Sequence, residues 1–342
     1  MRWDGQLLDA VDGDALPGLE GSRGLLRTFD APEFRGMQFL EMTSRSALNR
    51  VPGNGFMGGA WTVNPYRGCQ HACVYCFARQ THTYLDLDAG ADFDSRVVVK
   101  TNAAEALDAE LSRRSERPER VLLGTNTDPY QRAEGRYRLM PGIIRALAKH
   151  GVGISILTKG TLLRRDLPLL VDAAERVPVD LQMSIAVFDD ALQASVEPGT
   201  PTTAARLATV RAIRGAGLAC GVLVMPVLPW LTDSEEHLDR AFGLLAEAGA
   251  TSVSTTALHL RPGAREWYVA WLQREHPHLV ERYRQLYAGG ANAERAYQDW
   301  LRDRVRTVRR RHPLQLHEDR RRRWRPVAPG RAPEMPIEPT LF

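Results

Sequence analysis

Short apolar segments alternate with amphipathic segments through the middle of this chain of 342 residues. The apolar segments have the length of strands, and the segments between them have the periodicity of helices. Strands are predicted at residues 61–63, 97–99, 121–124, 154–158, 181–187, 218–227 and 252–260. Helices are predicted at 103–111, 141–149, 162–176, 202–216, 234–248 and 265–273. This order predicts about six βα units, with a parallel sheet covered by helices and closed or partly closed as a barrel.

Residues at the helix ends support this division. Gly151, Gly217 and Gly249 directly follow three predicted helices, where a left-handed cap residue is favoured. Asn102 precedes the first helix and is a candidate N-cap. The chain is therefore expected to form an α/β domain with extensions at both ends.

Cys69, Cys73 and Cys76 are three of the four cysteines and fall within eight residues. The C-x3-C-x2-C spacing supplies three thiolates from one loop. Three thiolates can hold three irons of a cubic 4Fe-4S cluster and leave the fourth iron without a protein ligand. The spacing therefore predicts a cluster with one open iron.

Other uses of the cysteines are less consistent with the sequence. A structural zinc ion needs a fourth ligand, which could come only from His71, His82 or the distant Cys220. Disulfides are not expected, because the cysteines form a trio plus one and the chain has the character of a cytoplasmic protein with no apolar leader segment. On strand alternation Cys220 shares a face with Val222 and Val224, which predicts a buried structural cysteine.

Polar and small residues follow several predicted strands, where the active sites of barrels gather. Gly124 would let a ligand approach the backbone, and the side chains that follow it offer donors and acceptors for an amino-acid or ribose group. The alternative is a simple turn, since Asn, Asp and Pro form turns. The candidate site residues are Gly124, Thr125, Thr127, Asp128, Lys159, Ser184 and Arg206.

Several motifs in this order resemble one protein family. They are the cysteine motif, with Tyr75 between its last two cysteines, Asn64-Pro65-Tyr66, Thr127-Asp128-Pro129-Tyr130-Gln131, Leu157-Thr158-Lys159 and Glu197-Pro198-Gly199-Thr200-Pro201. Together they resemble the spore photoproduct lyase-like branch of the radical S-adenosylmethionine (SAM) superfamily, and more closely an uncharacterised actinobacterial subgroup of it. The resemblance covers roughly residues 40–290.

The resemblance implies a partial (β/α)6 TIM-like barrel of radical SAM type. It also implies a 4Fe-4S cluster whose open iron is chelated by the amino and carboxylate groups of SAM. Lys159 and Ser184 match positions that contact SAM, and Thr127 and Asp128 match a polar pair lining its pocket. A ferredoxin or flavodoxin-type reductant would supply the electron that cleaves SAM into methionine and a 5′-deoxyadenosyl radical.

Two departures from the family pattern concern the reaction. Members that repair thymine dimers carry a cysteine near the start of the Thr-Asp loop and a tyrosine directly after the third cluster cysteine. This chain has Thr125 and Phe77 in those places. Threonine and phenylalanine have no readily transferred hydrogen atom, which argues against photoproduct repair.

Basic residues are concentrated near the C-terminus. Residues 302–325 contain eleven arginines against Asp303, Glu318 and Asp319, a local balance of +8 within a net charge of +4. Such a run predicts either a solvated helix face or a contact with the phosphate backbone of a nucleic acid, on which Trp324 could stack a base. A helix is predicted at 293–311.

The predicted C-terminal helix has Asn292 as its N-cap. Its apolar stripe consists of Tyr297, Leu301, Val305 and Val308. The last five residues, 338–342, are similar to C-terminal peptides that dock on the bacterial sliding clamp, with a disordered end as the alternative. The predicted parts are an N-terminal extension at 1–54, a radical SAM core at 55–290, a basic helical extension at 291–325 and a flexible tail at 326–342.

The sequence therefore predicts a cytoplasmic radical SAM enzyme that acts on a nucleic acid or nucleotide. A peptide or small metabolite is the alternative substrate, and an electron-transfer or sensor protein is the non-catalytic alternative. No stretch approaches the roughly 18 apolar residues that a membrane helix needs, so no membrane association is expected.

Overall fold

The computed structural model describes residues 25–30, 36–53 and 58–314. The strands are β1 (Leu25–Asp30), β2 (Gln38–Met42), β3 (Leu48–Arg50), β4 (Trp61–Val63), β5 (Tyr66–Arg67), β6 (Arg96–Lys100), β7 (Arg120–Leu123), β8 (Gly153–Thr158), β9 (Val179–Ser184), β10 (Cys220–Val227) and β11 (Ser252–Ala257). The helices are α1 (Ala91–Ser95), α2 (Ala103–Arg113), α3 (Ala133–Tyr137), α4 (Leu139–Lys149), α5 (Leu167–Ala174), α6 (Asp190–Val196), α7 (Thr203–Gly215), α8 (Glu235–Glu247), α9 (Ala264–Glu275), α10 (Val280–Leu286) and α11 (Arg295–Arg311). Within these described ranges, 3-10 segments lie at Phe77–Leu85, Thr161–Asp166 and Pro277–Leu279.

The larger sheet has the order β3-β4-β7-β8-β9-β10-β11. The six strands from β4 to β11 in this order run parallel, and β3 is added antiparallel to β4. Among the described strands, β11 does not pair with β3 or β4, so the sheet stays open. The predicted α/β fold, a partial barrel with six parallel strands, is confirmed.

One predicted strand lies outside this sheet. Residues 97–99 fall in β6, which belongs to a second sheet of order β1-β2-β6-β5. β5 pairs antiparallel with β6 and leads directly into the cysteine loop. The second sheet therefore fixes the point at which the cysteine loop begins, which the apolar pattern of 97–99 did not indicate.

The main core lies between the larger sheet and the helices that cover it. Cys220 is fully buried in this core with Val222 and Val224, as the alternation predicts. A second, separate core contains Trp271 and Tyr283 together with residues that follow the ends of β9 and β11. Burial on both faces explains the continuous apolar runs of the parallel strands.

Three predicted segments differ most from the structure. β9 ends at Ser184, whereas the predicted strand runs to 187, and Ala186 and Val187 both join the second core. β11 ends at Ala257. The predicted helix 162–176 is a 3-10 segment followed by α5, with Pro168 in the first turn of α5.

The predicted glycine caps are confirmed, the predicted N-cap position of Asn102 is confirmed without a capping hydrogen bond from its side chain, and the predicted N-cap Asn292 is wrong. Gly151, Gly217 and Gly249 have φ values of +69°, +81° and +81°. Asn102 lies at the N-cap of α2, but its side chain bonds elsewhere: its Oδ1 accepts from the Ser44 backbone N–H at 2.7 Å, and its amide donates to the Ser44 carbonyl at 3.0 Å. The Asn102 side chain is thus hydrogen-bonded to Ser44, far away in the sequence, and not to the first turn of α2.

α11 begins two residues later than predicted, after Glu294, and Asn292 accepts a hydrogen bond from His259 instead of capping the helix. Its apolar stripe packs as predicted. Leu301 and Val308 are buried, and Tyr297 and Val305 pack against the main core. Arg320–Arg323, Trp324 and the residues 338–342 lie outside the described part of the chain.

Within the described residues, no helix has both the length and the apolar character that crossing a membrane requires.

Candidate functional site

A cavity of about 310 Å³ opens at the carboxyl ends of the parallel strands. Pockets that bind small molecules typically measure about 300–1,000 Å³, so this cavity has the size of a ligand site. Ten of the predicted site residues line it: Cys69, Cys73, Tyr75, Cys76, Gly124, Thr125, Thr127, Asp128, Lys159 and Ser184. Arg206 is not among the lining residues. The tertiary structure therefore brings together residues that lie up to about a hundred positions apart in the sequence.

The cysteine loop is anchored on one side to the segment that follows β7. The Gly68 carbonyl accepts from Thr127 Oγ1 at 2.7 Å and from Gln131 Nε2 at 3.2 Å. The Gln70 backbone N–H donates to Gln131 Oε1 at 3.0 Å. Thr127 was predicted to line the pocket, and its hydroxyl group donates a hydrogen bond that holds the cysteine loop in place.

The loop is anchored on its other side to the segment after α6. The Val74 N–H donates to the Val196 carbonyl at 3.0 Å, and the Gly199 N–H donates to the His71 carbonyl at 3.1 Å. A Cβ on Gly199 would lie 1.9 Å from the Gln70 carbonyl oxygen. Only glycine permits this approach, which explains the Gly in the Glu-Pro-Gly-Thr-Pro motif.

Arg79 clamps the end of the loop and was not predicted. Its fully buried guanidinium donates to the Cys73 carbonyl at 3.2 and 3.0 Å and to the Gly90 carbonyl at 2.9 Å. Asp94 balances its charge at 2.9 Å. Nothing in the local sequence distinguishes this arginine from a solvated one.

The three thiols face the cavity from a largely buried loop. Cys69 and Cys73 are each 7% exposed, and all three cysteines are free of disulfides. Burial raises the pKa of the Cys73 thiol well above its ordinary value and that of Cys76 to about 11. Burial therefore favours the neutral thiols, and the thiolate form requires nearby positive charge. The irons of a bound cluster would supply that charge.

The cysteines suit a cluster better than a single ion. Among the described residues, no three His, Cys, Asp or Glu side chains are gathered closely enough to hold one metal ion. A cubic cluster makes a different demand, because its three thiolates bind three different irons. His71 and His82, the proposed zinc ligands, are bonded to Asp128 and to the Arg96 carbonyl.

His71 and Asp128 form a buried pair beside the cysteines. Their Nδ1 and Oδ2 atoms are 3.3 Å apart. Burial disfavours the charged imidazole, but Asp128 and Cys69 outweigh it and raise the pKa of His71 to about 10. The protonated ring places a positive charge next to the thiols.

Asp128 has protein partners at both carboxylate oxygens. It accepts from Thr158 Oγ1 at 2.6 Å, from the Tyr130 N–H at 2.9 Å and from the Lys159 N–H at 2.6 Å, in addition to His71. Despite the opposing effect of burial, His71 and these donors lower its pKa. Asp128 therefore joins the cysteine loop to the ends of β7 and β8.

Lys159 directs its ammonium group into the cavity. Lys159 Nζ donates to Ser184 Oγ at 2.9 Å and lies 5.6 Å from the centre of the Tyr75 ring. Burial opposes the charge, yet Cys73 and Glu197 raise the pKa of Lys159. A fixed cation beside a hydroxyl is suited to binding a ligand carboxylate.

Arg206 lies behind the cavity wall in a buried network. Its guanidinium contacts Glu197 Oε2 at 2.7 Å and donates to the Ser184 carbonyl at 3.1 Å. The Tyr75 hydroxyl donates to the other Glu197 oxygen. Arg206 was predicted as a cofactor ligand. In the structure it instead positions Ser184 by a direct hydrogen bond and Tyr75 through Glu197.

An apolar wall faces these polar groups and was missed as part of the site. Leu223, Met225 and Pro226 from β10 form it, and Thr256 of β11 and His259, which follows β11, complete the rim. The sequence indicates that these residues lie near the site, because Met225-Pro226 is at the carboxyl end of a predicted strand and Lys159 directly follows another. Ligand pockets are lined predominantly by apolar side chains, as this wall is.

Comparison with known proteins identifies the superfamily. The family model "Radical SAM superfamily" matches residues 63–242. An uncharacterised protein of Mycobacterium bovis is 54% identical over 347 residues, which cover 100% of both chains. An uncharacterised protein of Acidianus two-tailed virus is 28% identical over 213 residues, 60% of this chain and 69% of that protein. The chain belongs to the radical SAM superfamily, which implies a 4Fe-4S cluster and SAM as cofactors.

The fold is also that of a characterised enzyme. A solved structure of a spore photoproduct lyase variant with bound AdoMet and dinucleoside spore photoproduct matches with a TM-score of 0.59 and 16% identity. The match covers 80% of this chain and 79% of that one. The resemblance predicted from the motifs is confirmed, as superfamily by the family model and as fold by this match.

Proposed function

We propose that this protein is a radical SAM enzyme that binds a 4Fe-4S cluster through Cys69, Cys73 and Cys76. The observation on which the proposal depends most is the convergence of these thiols with Lys159 and Ser184 on one cavity. Cys69, Cys73 and Cys76 would hold the cluster, which would supply the one electron for reductive cleavage of bound SAM to methionine and a 5′-deoxyadenosyl radical able to take a hydrogen atom from the substrate.

The chain's own residues bind, orient and shield these groups. Lys159 and Ser184 would hold the SAM carboxylate, since they offer a cation and a hydroxyl 2.9 Å apart. His71 and Lys159 surround the thiolates with positive charge. The apolar wall of Leu223, Met225 and Pro226 limits water in the cavity, which protects a radical from side reactions.

The test is anaerobic reconstitution with iron and sulfide, followed by dithionite and SAM and an assay for 5′-deoxyadenosine. We expect product from the wild type and none above background from Cys73→Ser, which should also lose iron and visible absorption. Cys220→Ser is the matched control, because Cys220 lies in the apolar core away from the cavity. A wild type with an intact cluster and no 5′-deoxyadenosine would contradict the proposal and favour an electron-transfer or sensor protein.

The substrate class proposed is a nucleotide or nucleic acid, bound in part by arginines of the C-terminal region. It is supported by the fold shared with an enzyme solved with a dinucleoside photoproduct. The exposed Trp300 ring with Arg304 4.2 Å from its centre adds a surface suited to stacking a base. Deuterated oligonucleotides should then pass deuterium to 5′-deoxyadenosine, and deuterium transfer only from a peptide or metabolite would favour the alternative substrates.

A ferredoxin or flavodoxin-type protein is proposed as the reductant in place of dithionite. Support comes from the superfamily chemistry, which needs one electron for each SAM cleaved.

A further inference from the structure

The rim of the cavity carries an arginine that is held in place by neutral groups. Arg261 follows β11, and its Nε–H donates to His259 Nε2 at 3.0 Å. Its Cζ lies 5.7 Å from the centre of the Phe77 ring, and Phe77 is 42% exposed. Both His259 and Phe77 line the cavity, and Arg261 itself does not. Its contacts with these two residues place the guanidinium beside the mouth of the cavity.

The contacts of His259 fix how the arginine is oriented. The guanidinium can only donate, so His259 Nε2 must be the acceptor and Nδ1 must carry the proton. Nδ1 then donates to Asn292 Oδ1 at 2.7 Å. Asn292 is itself tied to the rim, since His259 and Asn292 form a bridge and the Leu260 N–H donates to the Ala291 carbonyl at 2.8 Å.

Arg261 differs from the other arginines near the site in having no carboxylate. Arg79 pairs with Asp94, Arg165 with Glu134 and Asp166, and Arg206 with Glu197. Among the residues that the structure describes, no Asp or Glu oxygen lies within 4 Å of Arg261, and neither of its terminal amino groups donates a hydrogen bond. Holding a guanidinium in one place costs side-chain entropy, which a bound anion would offset.

We propose that Arg261 binds an oxyanion, a phosphate or a carboxylate, of the substrate at the mouth of the cavity. The two terminal amino groups form the fork that binds either oxyanion through two parallel hydrogen bonds. His259 and Asn292 are positioning residues for this fork, and the exposed face of Phe77 is placed to cover a flat part of the substrate. The inference rests on the proposed function, and it assigns the anionic group separately from Lys159, which lies among the cofactor-binding residues.

Small fluorinated probes test this site on the full-length, reconstituted protein in the presence of SAM. The probes are 4-fluorophenyl phosphate, 4-fluorobenzoate and the neutral 4-fluorobenzamide, and binding is followed by fluorine NMR line broadening. We expect the wild type to bind at least one anion more tightly than the amide. Preference for the phosphate or for the carboxylate assigns the group, and either supports the proposal.

Variants locate the binding. Arg261→Gln should weaken anion binding at least tenfold, which corresponds to about 1.4 kcal/mol, and Arg261→Lys should be intermediate because it keeps the charge without the fork. His259→Ala should also weaken binding, and His259→Gln should restore part of it, since the amide oxygen can accept from Nε. Arg282→Gln is the matched control, because Arg282 stacks on Trp230 at 4.3 Å, outside the set of residues that line the cavity.

Equal anion binding by the wild type and Arg261→Gln would overturn the proposal, as would binding of the neutral amide by the wild type that is as tight as the binding of both anions. Formation of 5′-deoxyadenosine by the same wild-type preparation is scored separately. Its absence counts against the proposed function, whereas its presence without anion selectivity counts against the role of Arg261 alone.

Discussion

Gly124 shows at the scale of one residue how the site depends on backbone geometry. It follows β7 with φ +99°, and a Cβ there would lie 1.9 Å from the Leu157 carbonyl oxygen. The sequence predicts a glycine that admits a ligand, but the approach that requires it is that of β8. Gly124 also lines the cavity. The absence of its side chain therefore affects both the packing of β7 against β8 and the shape of the site.

Gly124→Ala should therefore lower the free energy of unfolding by about 3 kcal/mol or more, since backbone strain of about 1–3 kcal/mol adds to displacement of the Leu157 carbonyl. Gly151→Ala is the matched control, because Gly151 also has positive φ, +69°, but open space around it. We expect a loss of about 1–2 kcal/mol there. Urea denaturation measures both, and equal losses would show that the contact with Leu157 is unimportant.

Asp128 is a second residue whose role changed from prediction to structure. The sequence places it among ligand-binding side chains, and it does line the cavity. Its two oxygens, however, accept hydrogen bonds from β8 and from the segment after β7 and pair with His71. The polar character of Asp128 and its place after a strand predict that it lies near the site. Its hydrogen-bond and ion-pair partners depend on residues that are distant in the sequence.

At the scale of elements, a buried carboxylate organises the segment between β7 and β8. Glu134 in α3 accepts from the Leu139 and Met140 backbone N–H groups at 3.0 and 3.1 Å, at the start of α4. It also pairs with Arg165 at 2.7 Å and accepts from the Tyr66 hydroxyl at 2.5 Å. This one side chain joins β5, α4 and the 3-10 segment before α5.

Glu134→Ala should cost about 3–5 kcal/mol of unfolding free energy, because it leaves Arg165 and two helix N–H groups without their partner. Glu175→Ala, on the exposed end of α5, should change stability by less than about 0.5 kcal/mol. Thermal and urea unfolding of the two variants provide the comparison. A loss at Glu134 as small as that at Glu175 would mean that the network forms without it.

At the scale of the whole molecule, the C-terminal helix is part of the domain core. α11 packs Leu301 and Val308 into the main core, and Arg311 pairs with Glu235 of α8 at 2.5 Å. The Tyr297 hydroxyl donates to Asp233 at 2.8 Å, just beyond β10. The helix predicted as a basic extension is therefore packed into the main core and against α8.

Leu301→Ala should destabilise the whole domain by about 2–5 kcal/mol through loss of buried contacts and the cavity that remains. Trp300→Ala, one residue away and 40% exposed, should cost about 1 kcal/mol, mostly from its contact with Arg304. A single unfolding transition is expected for both variants. Separate unfolding of α11 in Leu301→Ala would contradict a shared core.

The sequence by itself determined the parallel sheet, the cysteine loop and ten of the residues that line the cavity. It could do so because strand and helix periodicity, and the spacing of Cys69, Cys73 and Cys76, are local properties of the chain. The tertiary structure decided which polar groups serve the ligand and which hold the loop: Thr127 and Asp128 turn to protein partners, Arg206 stays behind the wall, and His259 and Arg261 join the rim. These outcomes depend on hydrogen bonds and ion pairs between residues far apart in the sequence, and no local pattern records which of several possible partners a polar group will meet once the strands are side by side.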